Sequence, residues 1–434
     1  MGNYPERGLV FYMKKTITVN KNISLHYIEM KKLKTTAVGV YIRRSLSEEE
    51  AAYNAVLPYV LKSGCKKYPT MRAVNERLEE LYGAKLNGGI LKNGDNQVIF
   101  FDAETISDRY APNGEKLVSE LVSLLMSVLF EPQVRCGAFN SETVKREKKT
   151  VKDKIEALIN DKRTYATTRC VEEMCGGSAF AISKFGTAEQ VDSISAKALY
   201  SHYKKIITSS QIDIFVAGEA DCESLVEEIK RYIEKLDFNE AVYEKQMPAV
   251  FDSDKKNVTD RLEITQGKLV IGYTTGVNAA SPEYPAMLLA DSIYGAGTFS
   301  KLFNNVREKL SLAYYAASRL NKYNGIVLVD AGIEFKNFDK AYDEICTQLK
   351  ALKDGEISDD EFNFSKIAAA SALDSYYDDQ RYMQLYVLDC IYLGIDADIE
   401  KYKEKINAVT KEEIKAAAKK ITENTVYFLT GNNE

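Results

Sequence analysis

The chain has 434 residues, too many for one ordinary hydrophobic core and suited to two domains of about 200 residues each. Its 45% apolar and 28% charged residues are the proportions of a soluble globular protein, and a net charge of −5 offers no basic surface for nucleic acid. Seven cysteines, an odd number with no Cys-x-x-Cys pair, read as reduced thiols and predict a cytoplasmic protein.

In chain order, the apolar run 8–13 is too short for a signal segment, and no stretch of about 18 apolar residues follows, so neither export nor a membrane span is expected. Strands are predicted over 23–28, which holds His26, and over 36–42. Amphipathic spacing then predicts helices over 47–62, 70–81 and 115–129. Between them lie Asn87-Gly88-Gly89, which read locally as a turn between strands, and a strand over 98–101. The charge-rich stretch 145–154 alternates sign at helical spacing and reads as a solvated helix face. A helix opened by Ser195 carries His202 and leads into a strand over 212–218. A polar connector over 239–257, with Pro248 and the charged run 252–256, separates this half from the next. Strands over 268–273 and 325–332, a helix over 338–353, a helix opened by Thr410 and a strand over 425–431 complete the chain.

The two halves repeat one another. Val409 follows Ile194, and Lys419 follows Lys204, at the same offset of 215 residues, close to half the chain. Nearer the start of each half, Tyr53, Ala55, Leu57 and Gly64 stand against Tyr284, Ala286, Leu288 and Gly295 at an offset of 231. The pattern predicts an α+β fold of two homologous α/β-sandwich domains, residues 1–238 and 239–434. Each would be a mixed, largely antiparallel sheet covered on one face by helices.

Residues 294–314 hold the most specific signal. They run through a glycine-rich bend, Ser300-Lys301-Leu302-Phe303, then Arg307-Glu308-Lys309 and Leu312-Ala313-Tyr314, with a helix-to-strand corner between Arg307 and Tyr314. Taken alone, Arg307 is a surface helix charge and Tyr314 a half-buried strand residue. The whole segment, however, is similar to the second-domain motif of the pitrilysin/insulinase metallopeptidases. The match departs from that motif at Lys301, where the family usually has arginine, and at Ser311, where it usually has glycine. The resemblance implies that Arg307 binds a peptide carbonyl through its fork of donors and that the Tyr314 hydroxyl donates to the oxyanion opposite a zinc ion.

In active relatives the first-domain helix carries His-x-x-Glu-His, whose two imidazoles hold zinc and whose glutamate is the general base. Counted back from Gly64, those five positions are Ala55, Val56, Leu57, Pro58 and Tyr59, and none binds zinc. No shift of register helps, because the only histidines are His26 and His202. The third ligand of the family corresponds to the neighbourhood of Glu142 or Glu147. No metal site is therefore expected in this chain, and zinc is expected in a partner.

The resemblance thus implies the zinc-less subunit of a heterodimeric metallopeptidase, closest in pattern to the bacterial members associated with 5-aminopentanol modification of elongation factor P. Its partner would be a zinc-bearing homologue, its substrate a peptide or unfolded segment held in extended form, and Asn87, Gly88 and Gly89 candidate substrate-binding residues. No hydrolase activity is expected from the chain alone, and a homodimer in the absence of the partner stays open. The alternative is a non-enzymatic scaffold that reuses the peptidase shell. A scaffold has no use for Arg307 and Tyr314 in an open cavity, so burial of both would favour it.

Overall fold

The computed structural model describes residues 14–241, 243, 248 and 255–432. The apolar run 8–13 and most of the connector, including its charged run up to residue 254, lie outside the described residues. Strands are Lys14–Thr18 (β1), Ile23–Glu29 (β2), Thr35–Ser45 (β3), Lys85–Asn93 (β4), Asn96–Ile106 (β5), Val134–Arg135 (β6), Ala138–Phe139 (β7) and Gln211–Gly218 (β8) in the first half. Lys256–Leu262 (β9), Gly267–Thr274 (β10), Ala313–Asn321 (β11), Ile326–Ile333 (β12) and Thr422–Gly431 (β13) follow. Helices of the first half are Glu48–Lys62 (α1), Met71–Glu80 (α2), Leu117–Phe130 (α3), Ser141–Asn160 (α4), Lys162–Met174 (α5), Ala188–Ser193 (α6), Ala196–Ser209 (α7) and Cys222–Ile233 (α8). Tyr284–Asp291 (α9), Phe338–Asp354 (α10), Asp359–Ser375 (α11), Gln380–Leu393 (α12), Ile399–Ala408 (α13) and Lys411–Lys419 (α14) belong to the second.

The first half builds a six-stranded sheet in the order β1-β2-β8-β3-β5-β4, and the second a five-stranded sheet in the order β11-β12-β10-β13-β9. Each sheet is antiparallel except for one pair, β2 with β8 and β9 with β13. The duplication is visible in this arrangement: β4 and β11 are matching edge strands, and β3 and β10 lie inside their sheets. Ser195 and Thr410 cap α7 and α14, each accepting a bond from the amide three residues on (Ala198, Glu413), as their place before an amphipathic run requires.

The expectation that helices cover one face of each sheet needs correction, because the second face is covered as well, by a helix from the other half. Helix α5 crosses onto the second sheet, where Ala166 and Cys170 join Val270, Tyr427 and Leu429 in one cluster. Helix α12 crosses onto the first sheet, where Met383, Val387 and Leu388 join Tyr41, Phe215 and Ala217. The exchange extends to polar groups: Gln384 donates to the Ala37 carbonyl at 3.0 Å and accepts from the Tyr41 hydroxyl at 3.2 Å.

Both crossings rely on a glycine. A Cβ at Gly39 of β3 would stand 2.3 Å from Gln384 Oε1, and one at Gly272 of β10 would stand 2.7 Å from Met174 Sδ. Close approach of helix to strand thus fixes the residue at both places.

Candidate functional site

Arg307 and Tyr314 sit at a corner of unusual backbone. Helix α9 does not end at Asp291 but continues as a π-helical turn, Ser292–Ala296, and a second π-helical segment spans Leu302–Lys309. Wide i to i+5 turns are rare and carry a register that a simple helix cannot. Leu302 and Val306 bury one side of the second segment, and on the outer side Arg307 is exposed. Two further ties hold the segment: Lys301 pairs with Glu361 of α11 at 3.0 Å, and Asn305 donates to Gln348 of α10 at 2.8 Å.

The chain leaves this segment through Ser311, whose φ of +50° lies in the left-handed region. That conformation favours glycine, which accounts for the residue the family usually places there. Strand β11 then starts with a bulge. Ala313 pairs with Ile333 and Tyr315 with Gly332, so Tyr314 is the extra residue, turned outward with 63% of its surface exposed.

Strand β11 is docked on α9 and its π-helical extension, and the Ser318 hydroxyl donates to the Asp291 carbonyl at 3.1 Å. Asp291 Oδ2 accepts the Leu320 amide at 3.1 Å, and a Cβ at Gly295 would stand 2.6 Å from the Ser318 amide nitrogen. Burial pushes the Asp291 carboxyl up to about 6, against the Ser318 and Leu320 bonds that lower it.

The Arg307 side chain is 44% exposed. Its contacts among the described residues stay within its own turn: Glu308 at 3.4 Å, and the Phe303 ring beneath the guanidinium at 4.8 Å. Neither Arg307 nor Tyr314 is held in the core or in a salt-bridge network, the arrangement a pure scaffold would favour.

The zinc position of the resemblance falls on α1, capped by Ser47. Ala55, Val56 and Leu57 are fully buried, Pro58 is buried within the helix and Tyr59 is half-buried. Of the two acidic candidates, Glu142 is exposed in the first turn of α4, whereas Glu147 is buried and turned to the end of α1. Its Oε1 accepts from Arg146 Nε at 2.7 Å and from Ser63 Oγ at 3.3 Å. Burial, reinforced by the charge of Glu147, raises the pKa of the Tyr59 phenol.

Both histidines are engaged elsewhere. His26 Nε2 lies 2.9 Å from Asp213 and its Nδ1 3.0 Å from Thr16 Oγ1, and His202 Nε2 lies 2.7 Å from Asn54 Oδ1. Among the described residues, no three His, Cys, Asp or Glu side chains are grouped so as to hold a metal ion. A methyl, a pyrrolidine and a phenol beside one already bonded carboxylate do not fit zinc, which takes thiolate, imidazole or carboxylate donors in a tetrahedral set.

Asn87, Gly88 and Gly89 form strand rather than the turn suggested locally. They lie in β4, the outermost strand of the first sheet. Asn87 donates to Asp102 Oδ2 at 3.0 Å, while the rings of Phe101 and Phe100 occupy the space that side chains at Gly88 and Gly89 would need. A Cβ at Gly89 would also stand 3.7 Å from the Tyr59 hydroxyl, so this edge borders the altered metal position.

Two duplicated α+β halves, an Arg/Tyr corner in the second and a ligand-free helix in the first define a metallopeptidase shell without its metal. The family model described as "Peptidase M16 inactive domain" matches residues 193–369, which include that corner. "Probable inactive metalloprotease YmfF" of Bacillus subtilis is 32% identical over 97% of this chain and 98% of its own length. "Uncharacterized zinc protease YmxG" of the same organism is 20% identical over 90% of this chain and 91% of its own length. A conserved protein from Enterococcus faecalis superposes with a TM-score of 0.88 at 28% identity, covering 97% of this chain and 99% of that one. A peptidase M16 inactive domain from Pseudomonas fluorescens superposes with a TM-score of 0.78 at 15% identity, covering 96% and 98%. The chain belongs to the M16, or pitrilysin/insulinase, family. It is an inactive member, with no zinc ligand at the family's His-x-x-Glu-His positions.

Proposed function

We propose that this chain is the non-catalytic subunit of a two-chain metallopeptidase whose homologous partner brings the zinc. Arg307 and Tyr314 complete the partner's site: the guanidinium holds a carbonyl of an extended peptide, and the phenol donates to the oxygen that gains negative charge. The observation that carries this reading is the exposure of both side chains at one corner, held there by a π-helical segment, a left-handed residue and a bulge. Such backbone has no evident use in a shell that only fills space.

Three further observations agree with it. Relatives described as inactive and as a zinc protease occur in one organism, Bacillus subtilis. Strand β4 offers a free edge, with Asn87, Gly88 and Gly89 beside the altered metal position, to which an extended peptide can add. None of the seven cysteines is in a disulfide, which agrees with a reducing compartment, and we place the pair in the cytoplasm. On sequence pattern we place the chain beside the members associated with 5-aminopentanol modification of elongation factor P.

Co-expression with a zinc-bearing homologue tests the proposal. Peptide hydrolysis should require both subunits, and Arg307→Ala or Tyr314→Phe in this chain should lower turnover of the pair while assembly persists. Wild-type turnover with both variants would refute the roles assigned.

A further inference from the structure

Beside the altered metal position, where α1 ends, a cleft of about 390 Å³ opens between the starts of α2 and α4 and the β6–β7 hairpin. This volume is that of a small-ligand site. Its chemistry is one-sided. Arg135 and Arg146 line it, and no aspartate or glutamate does, although the chain carries 63 acidic residues.

The two arginines are differently placed. Arg146 spends Nε on Glu147 and one Nη on Ser63 Oγ at 3.0 Å, which fixes the guanidinium and leaves its other Nη without a partner among the described residues. Arg135 is exposed on β6 and has no side-chain partner among the described residues. The first turns of α2 and α4 add partial positive charge at the same mouth; α2 has no acidic residue in its first turn, whereas α4 carries the exposed Glu142 in its own.

The remaining walls divide into two kinds. Val60, Val134 and Phe139 form an apolar surface, and Gln133, Asn140 and Thr143 supply amide and hydroxyl groups. An inorganic anion would leave the apolar wall unused. A fatty acid would use the apolar wall and the arginines but none of the amide and hydroxyl groups beside them.

We propose that this cleft binds the carboxyl-terminal end of a peptide whose last side chain is apolar. The carboxylate lies between Arg135 and the free Nη of Arg146, the side chain lies on Val134 and Phe139, and the backbone amide pairs with Asn140 or Thr143. The ligand is recognised by its free carboxylate and does not react. The inference does not rest on the pairing proposed above, and binding is measured on the isolated chain.

The test uses an N-acetylated tripeptide ending in leucine, as free acid and as carboxyl-terminal amide, titrated into the full chain by isothermal calorimetry, with inorganic phosphate as competitor. The acid should bind about tenfold more tightly than the amide, the size of effect expected for charge-assisted bonds to a guanidinium. Arg135→Gln should remove most of that preference, with an unchanged circular dichroism spectrum as the check on folding. Val134→Asp, which sets a carboxylate beside the arginines and removes part of the apolar wall, should weaken both ligands and the acid more than the amide. Equal affinity for acid and amide, no saturable binding of either, phosphate competing as well as the acid, or an undiminished preference in Arg135→Gln would each overturn the assignment.

Discussion

His202 Nε2 donates to Asn54 Oδ1 across 2.7 Å, while Asn54 Nδ2 donates to Gln97 Oε1 at 2.8 Å. Gln97 in turn donates to the carbonyls of Ala51 and Lys184. The histidine that comes nearest in the fold to the altered metal helix is thus spent on a polar chain that ties α7 to α1 and β5. The direction of this chain fixes the proton on Nε2 of a neutral imidazole.

Burial holds His202 down to about 4, with Arg44 and Lys205 lowering it further against the opposing pull of Glu50. A histidine whose folded pKa lies below its unfolded value contributes fully above about 6.5 and loses that contribution as pH falls toward 4. We expect the wild type to lose up to about 3 kcal/mol of unfolding free energy over that window, and His202→Gln to lose much less. Urea unfolding at a series of pH values, with the imidazole followed by NMR, checks both the sign and the window.

Arg307→Ala and Tyr314→Phe remove exposed groups, so each should change the unfolding free energy of the isolated chain by no more than about 0.5 kcal/mol. In the reconstituted pair each should lower kcat by roughly 10²–10³. Parallel losses of stability and turnover would instead mark the two residues as structural.

Ser311 pays for a φ of +50° that glycine adopts freely. Ser311→Gly should therefore stabilise the chain by about 0.5 kcal/mol, the relief of strain outweighing the added freedom of the unfolded chain, and Ser311→Val should destabilise it by more than 1 kcal/mol in order of magnitude. Chemical denaturation of the two variants decides.

Gly39→Ala and Gly272→Ala each push a methyl into the helix that crosses from the other half. Losses of about 1–3 kcal/mol are expected for each, as for overpacking elsewhere. Because the pairs Gly39–Gln384 and Gly272–Met174 lie on different sheets, the double variant should show nearly additive losses.

Much of this architecture is legible in the sequence because it is local. Ser47, Ser195 and Thr410 announce helix starts through side chains that accept the first free amides, and strands such as β3, β10 and β13 read directly as runs of β-forming residues. The edge strand β4 is harder to read. Gly88 and Gly89 are poor strand formers, and only the rings of Phe100 and Phe101, which sit on the neighbouring strand, explain them.

The crossings of α5 and α12 leave no local mark, since what they cover lies about a hundred residues away or more. The same holds at the Arg/Tyr corner. The identities of Arg307 and Tyr314 stand out as a motif, but the π-helical turns and the bulge follow from how β11 meets Asp291 and Gly295. The cleft beside Arg135 draws its lining from α1, α2, β6, β7 and α4, and no window of sequence brings these together.

The central claim is a division of labour between two chains. Its most direct test is the hydrolysis of an unstructured peptide by this chain alone, by its zinc-bearing homologue alone and by the two together, with zinc measured in each preparation. This chain alone should hold no stoichiometric zinc and hydrolyse nothing, and the mixture should turn over far faster than the homologue. Zinc-dependent hydrolysis by this chain alone, or a homologue indifferent to its presence, would contradict it.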